Sequence, residues 1–75
     1  MAYRVYDIAV RKEDEVKADA IIDYFMSNHD LDDYYVEEHH DSNGETKVIF
    51  RVIPYISDDL EVIRNELKLN GIKLL

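Results

Sequence analysis

The sequence predicts an α+β two-layer sandwich with the element order βαββαβ. Three observations carry this reading. Apolar residues alternate with polar ones along extended stretches, apolar residues recur at helical spacing in two others, and an Asp-Ser-Asn-Gly turn joins two of the extended stretches. The 75 residues fit one domain spanning residues 1–75. A chain this short buries only about 60% of its unfolded surface. Small domains often gain further stability from dimerisation or a partner.

Met1 to Arg11 reads as the first strand, because Tyr6, Ile8 and Val10 alternate with Val5, Asp7 and Ala9. Lys12-Glu13-Asp14-Glu15 opens a helix, with acids favoured at its positive N-terminal end. That helix runs to about His29, with Ala18, Ile21, Ile22 and Phe25 on its buried face. Asp30-Leu31-Asp32-Asp33 reads as a short acidic linker. Tyr34 to Asp41 and Thr46 to Tyr55 are the second and third strands. Between them, Asp41 at the first and Gly44 at the fourth position of a type I turn give a three-residue loop, Ser42-Asn43-Gly44. This loop sets a register with Val36 opposite Phe50, Tyr34 opposite Val52 and Glu38 opposite Val48. On the other face it sets Tyr35 opposite Arg51, Glu37 opposite Ile49 and His39 opposite Lys47. A two-residue loop mixes apolar and charged residues on both faces, so the three-residue register is preferred. Pro54 ends the strand. Ser57-Asp58-Asp59 caps a second helix in which Asp58 and Glu61 have capping-box spacing. Leu60, Ile63 and Leu67 form its buried stripe, and Asn70-Gly71 marks its C-terminal cap. Ile72 to Leu75 reads as a fourth strand. The simplest packing is a ferredoxin-like sandwich: a four-stranded antiparallel sheet, first and third strands central, with both helices on one face.

That packing leaves the other sheet face open. It carries Tyr3, Val5, Asp7, Ala9, Tyr35, Glu37, His39, Ile49, Arg51 and Ile53, and Arg51 is expected between Tyr35 and Asp7. A mixed face with an apolar group of this kind is a candidate dimer or partner interface, with Tyr3, Val5, Tyr35, Ile49, Arg51 and Ile53 as its contacts.

The net charge is −8, from 17 acids and 9 bases. Direct binding to nucleic acid is excluded as the main activity, because that affinity needs Lys and Arg to displace counterions. The acidity is also localised. Residues 1–17 balance four acids with four bases, and residues 47–75 hold four acids and five bases. Residues 18–46 hold nine acids and no Lys or Arg. Within or beside this segment, Glu15, Asp19 and Asp23 recur at intervals of four on the first helix. Such like-charge spacing destabilises a helix by about 0.2–0.5 kcal/mol per pair.

The stretch Glu37-Glu38-His39-His40-Asp41 resembles a metal-ligand set in composition. Strand period separates it, however: Glu37, His39 and Asp41 face one way, Glu38 and His40 the other. Glu37 with His39, or Glu38 with His40, gives two ligands, short of the three or four protein ligands of a zinc site, so no metal or other cofactor is expected. The absence of cysteine excludes thiolate chemistry and permits a cytoplasmic setting. Ser27, Ser42 and Ser57 lie at a helix end, a turn and a cap, outside any nucleophile elbow. Two glycines leave no phosphate cradle. No apolar run reaches the length of a membrane span. A non-enzymatic protein is therefore expected.

Known families on this architecture demand residues that are missing here. An acylphosphatase-like domain needs glycine in the connection that reads Val10-Arg11-Lys12-Glu13-Asp14. A copper-chaperone-like domain needs Cys-x-x-Cys, and an RNA-recognition domain needs aromatic and basic central strands. The ending Leu67-Lys68-Leu69-Asn70-Gly71-Ile72 is similar in outline to ACT-like regulatory domains, although their glycine-bearing first loop is absent. That resemblance implies a small-ligand-binding regulatory domain, dimeric through its sheet. A dimeric structural subunit using the open face is a related reading. The charge map leads elsewhere, to a small acidic interaction module of the kind phages and mobile elements use as inhibitors, some of which mimic DNA. Its expected contacts are Glu15, Asp19, Asp23, Asp30, Asp32, Asp33, Glu37 and Glu38. Its expected partner is the basic surface of a protein, such as one that binds nucleic acid.

Overall fold

The computed structural model describes residues 4–75. Strand β1 (Tyr6–Arg11) leads through a 3-10 turn (Lys12–Asp14) into helix α1 (Glu15–Ser27). Strands β2 (Leu31–His40) and β3 (Thr46–Pro54) follow, then helix α2 (Asp58–Leu69). The sheet is antiparallel with the order β1-β3-β2.

The four-stranded ferredoxin-like sheet is thus corrected to three strands, and β1 becomes an edge strand rather than a central one. The reason lies in the cap of α2. Gly71 takes a left-handed backbone with φ 79°. Its N–H donates to the Lys68 carbonyl, and the Ile72 N–H donates to the Leu67 carbonyl, the two bonds of a Schellman motif. The Ile72 amide is therefore committed to the helix end and its side chain to the core, where it is 3% exposed. Among the described residues, the segment beyond it meets β1 through one backbone bond, Leu75 N–H to the Ala9 carbonyl at 2.9 Å. One bond is no ladder.

The core lies on one face of the sheet. Ile8 and Val10 of β1, Val48, Phe50 and Val52 of β3, and Leu31 of β2 pack against Ala18, Ile22 and Phe25 of α1 and Ile63 and Leu67 of α2. These are the alternate strand positions and helical stripes set by the two periodicities.

The β2–β3 register matches the sequence reading pair for pair, from Tyr34 opposite Val52 to His39 opposite Lys47. The turn works as its residues require. The Gly44 N–H donates to the Asp41 carbonyl at 3.2 Å, and Gly44 has φ 81°. The Asp41 carboxylate accepts the Asn43 and Glu45 amides, both at 2.9 Å.

Two further boundaries shift. The acidic linker belongs to β2, which starts at Leu31, because Leu31 is buried at 2% exposure opposite Pro54. A bulge at Asp32 then returns the strand to register, with Asp33 opposite Ile53. At α2 the N-cap is Ser57, already at helical backbone angles and without a side-chain cap bond, so Asp58 lies inside the helix rather than at the cap of a capping box. Tyr3 and the start of the expected first strand lie outside the described residues.

Candidate acidic docking surface

On α1 the residues Glu15, Asp19 and Asp23 rise in one row, about 6 Å apart along the helix axis. β2 approaches this row through Tyr34. Its hydroxyl donates to Asp19 Oδ1 at 3.0 Å. Partial burial, then Asp19, then the nearby Asp23 push the Tyr34 phenol up to about 12. All three effects disfavour a phenolate. Tyr34 is therefore a neutral donor that ties the acid row of α1 to the sheet.

The first end of the row is neutralised. Lys12 Nζ pairs with Glu15 at 2.5 Å and also contacts Glu38 on β2. Bonds to Glu15 and then to Glu38 hold the Lys12 ammonium above the usual lysine range, and the bond to Lys12 holds Glu38 below the usual carboxylate range. Lys12 thus clips the start of α1 to β2.

The acids at the α1–β2 junction have different surroundings. α1 ends in a second Schellman motif: the His29 N–H donates to Met26 and the Asp30 N–H to Phe25, at 3.1 and 3.0 Å. His29 holds the left-handed position with φ 64°. This turn leads through Asp30 directly into β2, where Asp32 follows Leu31. Asp32 accepts a bond from the Tyr55 hydroxyl at 3.3 Å. Asp33 accepts the Tyr34 amide at 2.8 Å. It also sits beside the Tyr35 phenol, which it raises above the usual range.

The strand pleat divides the predicted contacts. Glu15, Asp19, Asp23 and Glu38 gather on the helix side, Asp30 and Asp32 at the junction, and Asp33 and Glu37 on the open sheet face. Among the described residues no Lys or Arg pairs with Asp19, Asp23, Asp30, Asp32 or Asp33. Glu37 is different: Arg51 Nη1 lies 2.6 Å from it and His39 Nε2 3.0 Å. Arg51 also reaches Asp7 at 3.5 Å. Arg51 is therefore held between Asp7 and Glu37. Tyr35 is its cross-strand neighbour and not its ion partner.

His39 and His40 diverge as the pleat requires. His39 bonds to Glu37, while His40 Nδ1 lies 2.8 Å from Thr46 Oγ1. Among the described residues, no three His, Cys, Asp or Glu side chains converge on one point that could hold a metal ion. No described helix is long and apolar enough to cross a membrane. Sequence reasoning missed Tyr34, Lys12 and Tyr55 as organisers of the acids. The signal for Lys12 was available, since it is the base preceding Glu15 by three residues.

No protein-family model matches this chain, and no curated protein or solved structure matches it significantly.

Proposed function

We propose that this protein is a non-enzymatic acidic interaction module that occupies a basic, nucleic-acid-binding surface on a target protein. The observation that carries the reading is the bond from Tyr34 to Asp19, which joins the acid row of α1 to the acidic start of β2. Asp19 and Asp23 on α1, and Asp30 and Asp32 at its junction with β2, have no Lys or Arg partner among the described residues. Lys and Arg on a target meet that need, speed association and make it salt-dependent.

DNA mimicry on this surface is partial. Along α1 one carboxylate recurs every 6 Å or so, against one phosphate per about 3.4 Å of each DNA strand. The helix row alone has about half the charge density of one strand, so the junction acids are needed to extend it. The module acts in the cytoplasm without a cofactor, in the manner of small acidic inhibitors from phages and mobile elements.

The test is affinity capture from a lysate of the source cells at low and high salt, with the captured proteins identified by mass spectrometry. The wild type should retain nucleic-acid-binding proteins at low salt and release them at high salt. The variant with Asp19, Asp23, Asp30 and Asp32 all changed to Asn should retain none while keeping its circular dichroism spectrum. Asn at position 19 keeps an oxygen that can accept the Tyr34 hydroxyl, so the fold is spared. Equal retention by the variant at low salt refutes electrostatic docking.

A further inference from the structure

The open sheet face has a charge order that the acidic surface does not explain. The strand registers arrange it in cross-strand rows. Arg11, Lys47 and His39 form the row at the hairpin end. Ala9, Ile49 and Glu37 form the next, then Asp7, Arg51 and Tyr35, and Ile53 with Asp33 closes the far end. Val5, 55% exposed, leads into β1 at that end. Ala9, Ile49 and Ile53 are only half-buried, and Tyr35 is 55% exposed. The face thus mixes apolar side chains with charges.

Its central charges are already matched, because Arg51 lies between Asp7 and Glu37. Covering them costs less than covering a lone charge. At the hairpin end, Arg11 is engaged by Glu13 and Asp14. Lys47 has no ion partner among the described residues, and at the opposite end neither has Asp33. These two unmatched charges are of opposite sign and lie six residues apart along the sheet, about 20 Å.

We propose that this face pairs with a second copy of the chain, in an antiparallel arrangement about a two-fold axis running across the strands. A two-fold interface must be self-complementary, each patch meeting its counterpart twice. With the axis across the strands, the Lys47 end of one copy covers the Asp33 end of the other, and this happens at both ends. With the axis along the strands, Lys47 faces Lys47 and Asp33 faces Asp33. The charge order therefore selects the first arrangement, with Ile49, Ala9 and Tyr35 packed between the two ends. Three strands about 4.8 Å apart over six residues make a small face, smaller than the standard interface of about 800 Å² per partner. The dimer is accordingly reversible and dependent on concentration. The acid row of α1 lies on the opposite side of the sheet and stays accessible.

Sedimentation equilibrium over a concentration series tests this without any target, so its result is separate from the docking reading. The wild type should form dimers. K47E and D33K, each placing like charges at both ends, should each weaken self-association about ten-fold or more. An equimolar mixture of K47E and D33K should restore dimers to within about three-fold of the wild type, because both contacts of the mixed dimer are then opposite in sign. Circular dichroism confirms folding of each variant. Should D33K lose its fold, D33N replaces it, since Asn keeps an oxygen for the Tyr34 amide, and its mixture with K47E should associate more tightly than K47E alone. A wild type that stays monomeric throughout overturns the proposal, as do folded variants that dimerise unchanged or a mixture that recovers nothing.

Discussion

Replacing His29 with glycine should stabilise this protein. Both helices end in the same Schellman motif, but with different residues at the left-handed position. α2 uses Gly71 at φ 79° and α1 uses His29 at φ 64°. A side chain in that region costs about 1–2 kcal/mol through the clash of Cβ with the backbone. Glycine removes this cost and returns about 0.5–1 kcal/mol through the greater freedom of its unfolded chain. The His29 side chain is exposed and no bond to it offsets the gain among the described residues. The net benefit is about 1 kcal/mol, which for a domain of this size raises the melting temperature by about 4–8 °C. Thermal unfolding followed by circular dichroism reads the shift directly. Gly71→Ala supplies the mirror experiment. A Cβ at Gly71 meets nothing within 4 Å, so the loss there reports the backbone alone and should be of similar size. His29→Ala keeps a Cβ and should change little. A His29→Gly variant that melts at or below the wild-type temperature refutes the reasoning.

Tyr34→Phe removes the bond between α1 and β2 and should cost about 0.5–1.5 kcal/mol in urea unfolding. The Tyr34 phenol is pushed up to about 12 in the folded protein, above its unfolded value of about 10. Its contribution is complete below that unfolded value and disappears as pH rises from about 10 to 12. The variant should therefore lose less stability than the wild type between neutral and strongly alkaline melts, and equal losses contradict the assignment. Phe50→Ala empties the centre of the core, where Phe50 is 0% exposed. The expected cost of about 3–5 kcal/mol is a large share of the roughly 4–11 kcal/mol available to a chain of this length. A cooperative melt within 5 °C or so of the wild type would show that the core is not centred there.

The hairpin was the most legible part of the sequence. Asp41 and Gly44 define the turn, the turn defines the register, and the register places Phe50 and Val52 inward and Arg51 outward. The start of β2 was hidden because three aspartates surround Leu31, and their low strand propensity outweighs one apolar residue in any local reading. What overrides it is tertiary: Leu31 fills a place opposite Pro54, and a bulge absorbs the mismatch. The last strand was over-read for the converse reason. Ile72 has a strand-forming side chain, but its amide is claimed by the cap of α2. For the acidic surface, the row on α1 was legible from spacing. Its division by the pleat of β2 and its anchoring by Tyr34 required the third dimension.

The strand order β1-β3-β2 also bears on how the chain folds. β2 and β3 meet across a three-residue loop, so their ladder closes at little entropic cost and can form early. β1 joins on the other side of β3, pairing Arg11 with Lys47 and Tyr6 with Val52. Those pairs are separated by 36 and 46 residues along the chain, and closing such loops costs entropy before any contact rewards it. Docking of β1 should then be the slow step, and until it happens β3 presents a bare edge. Conditions that delay this docking, not those that weaken the hairpin, are where aggregation during refolding should begin.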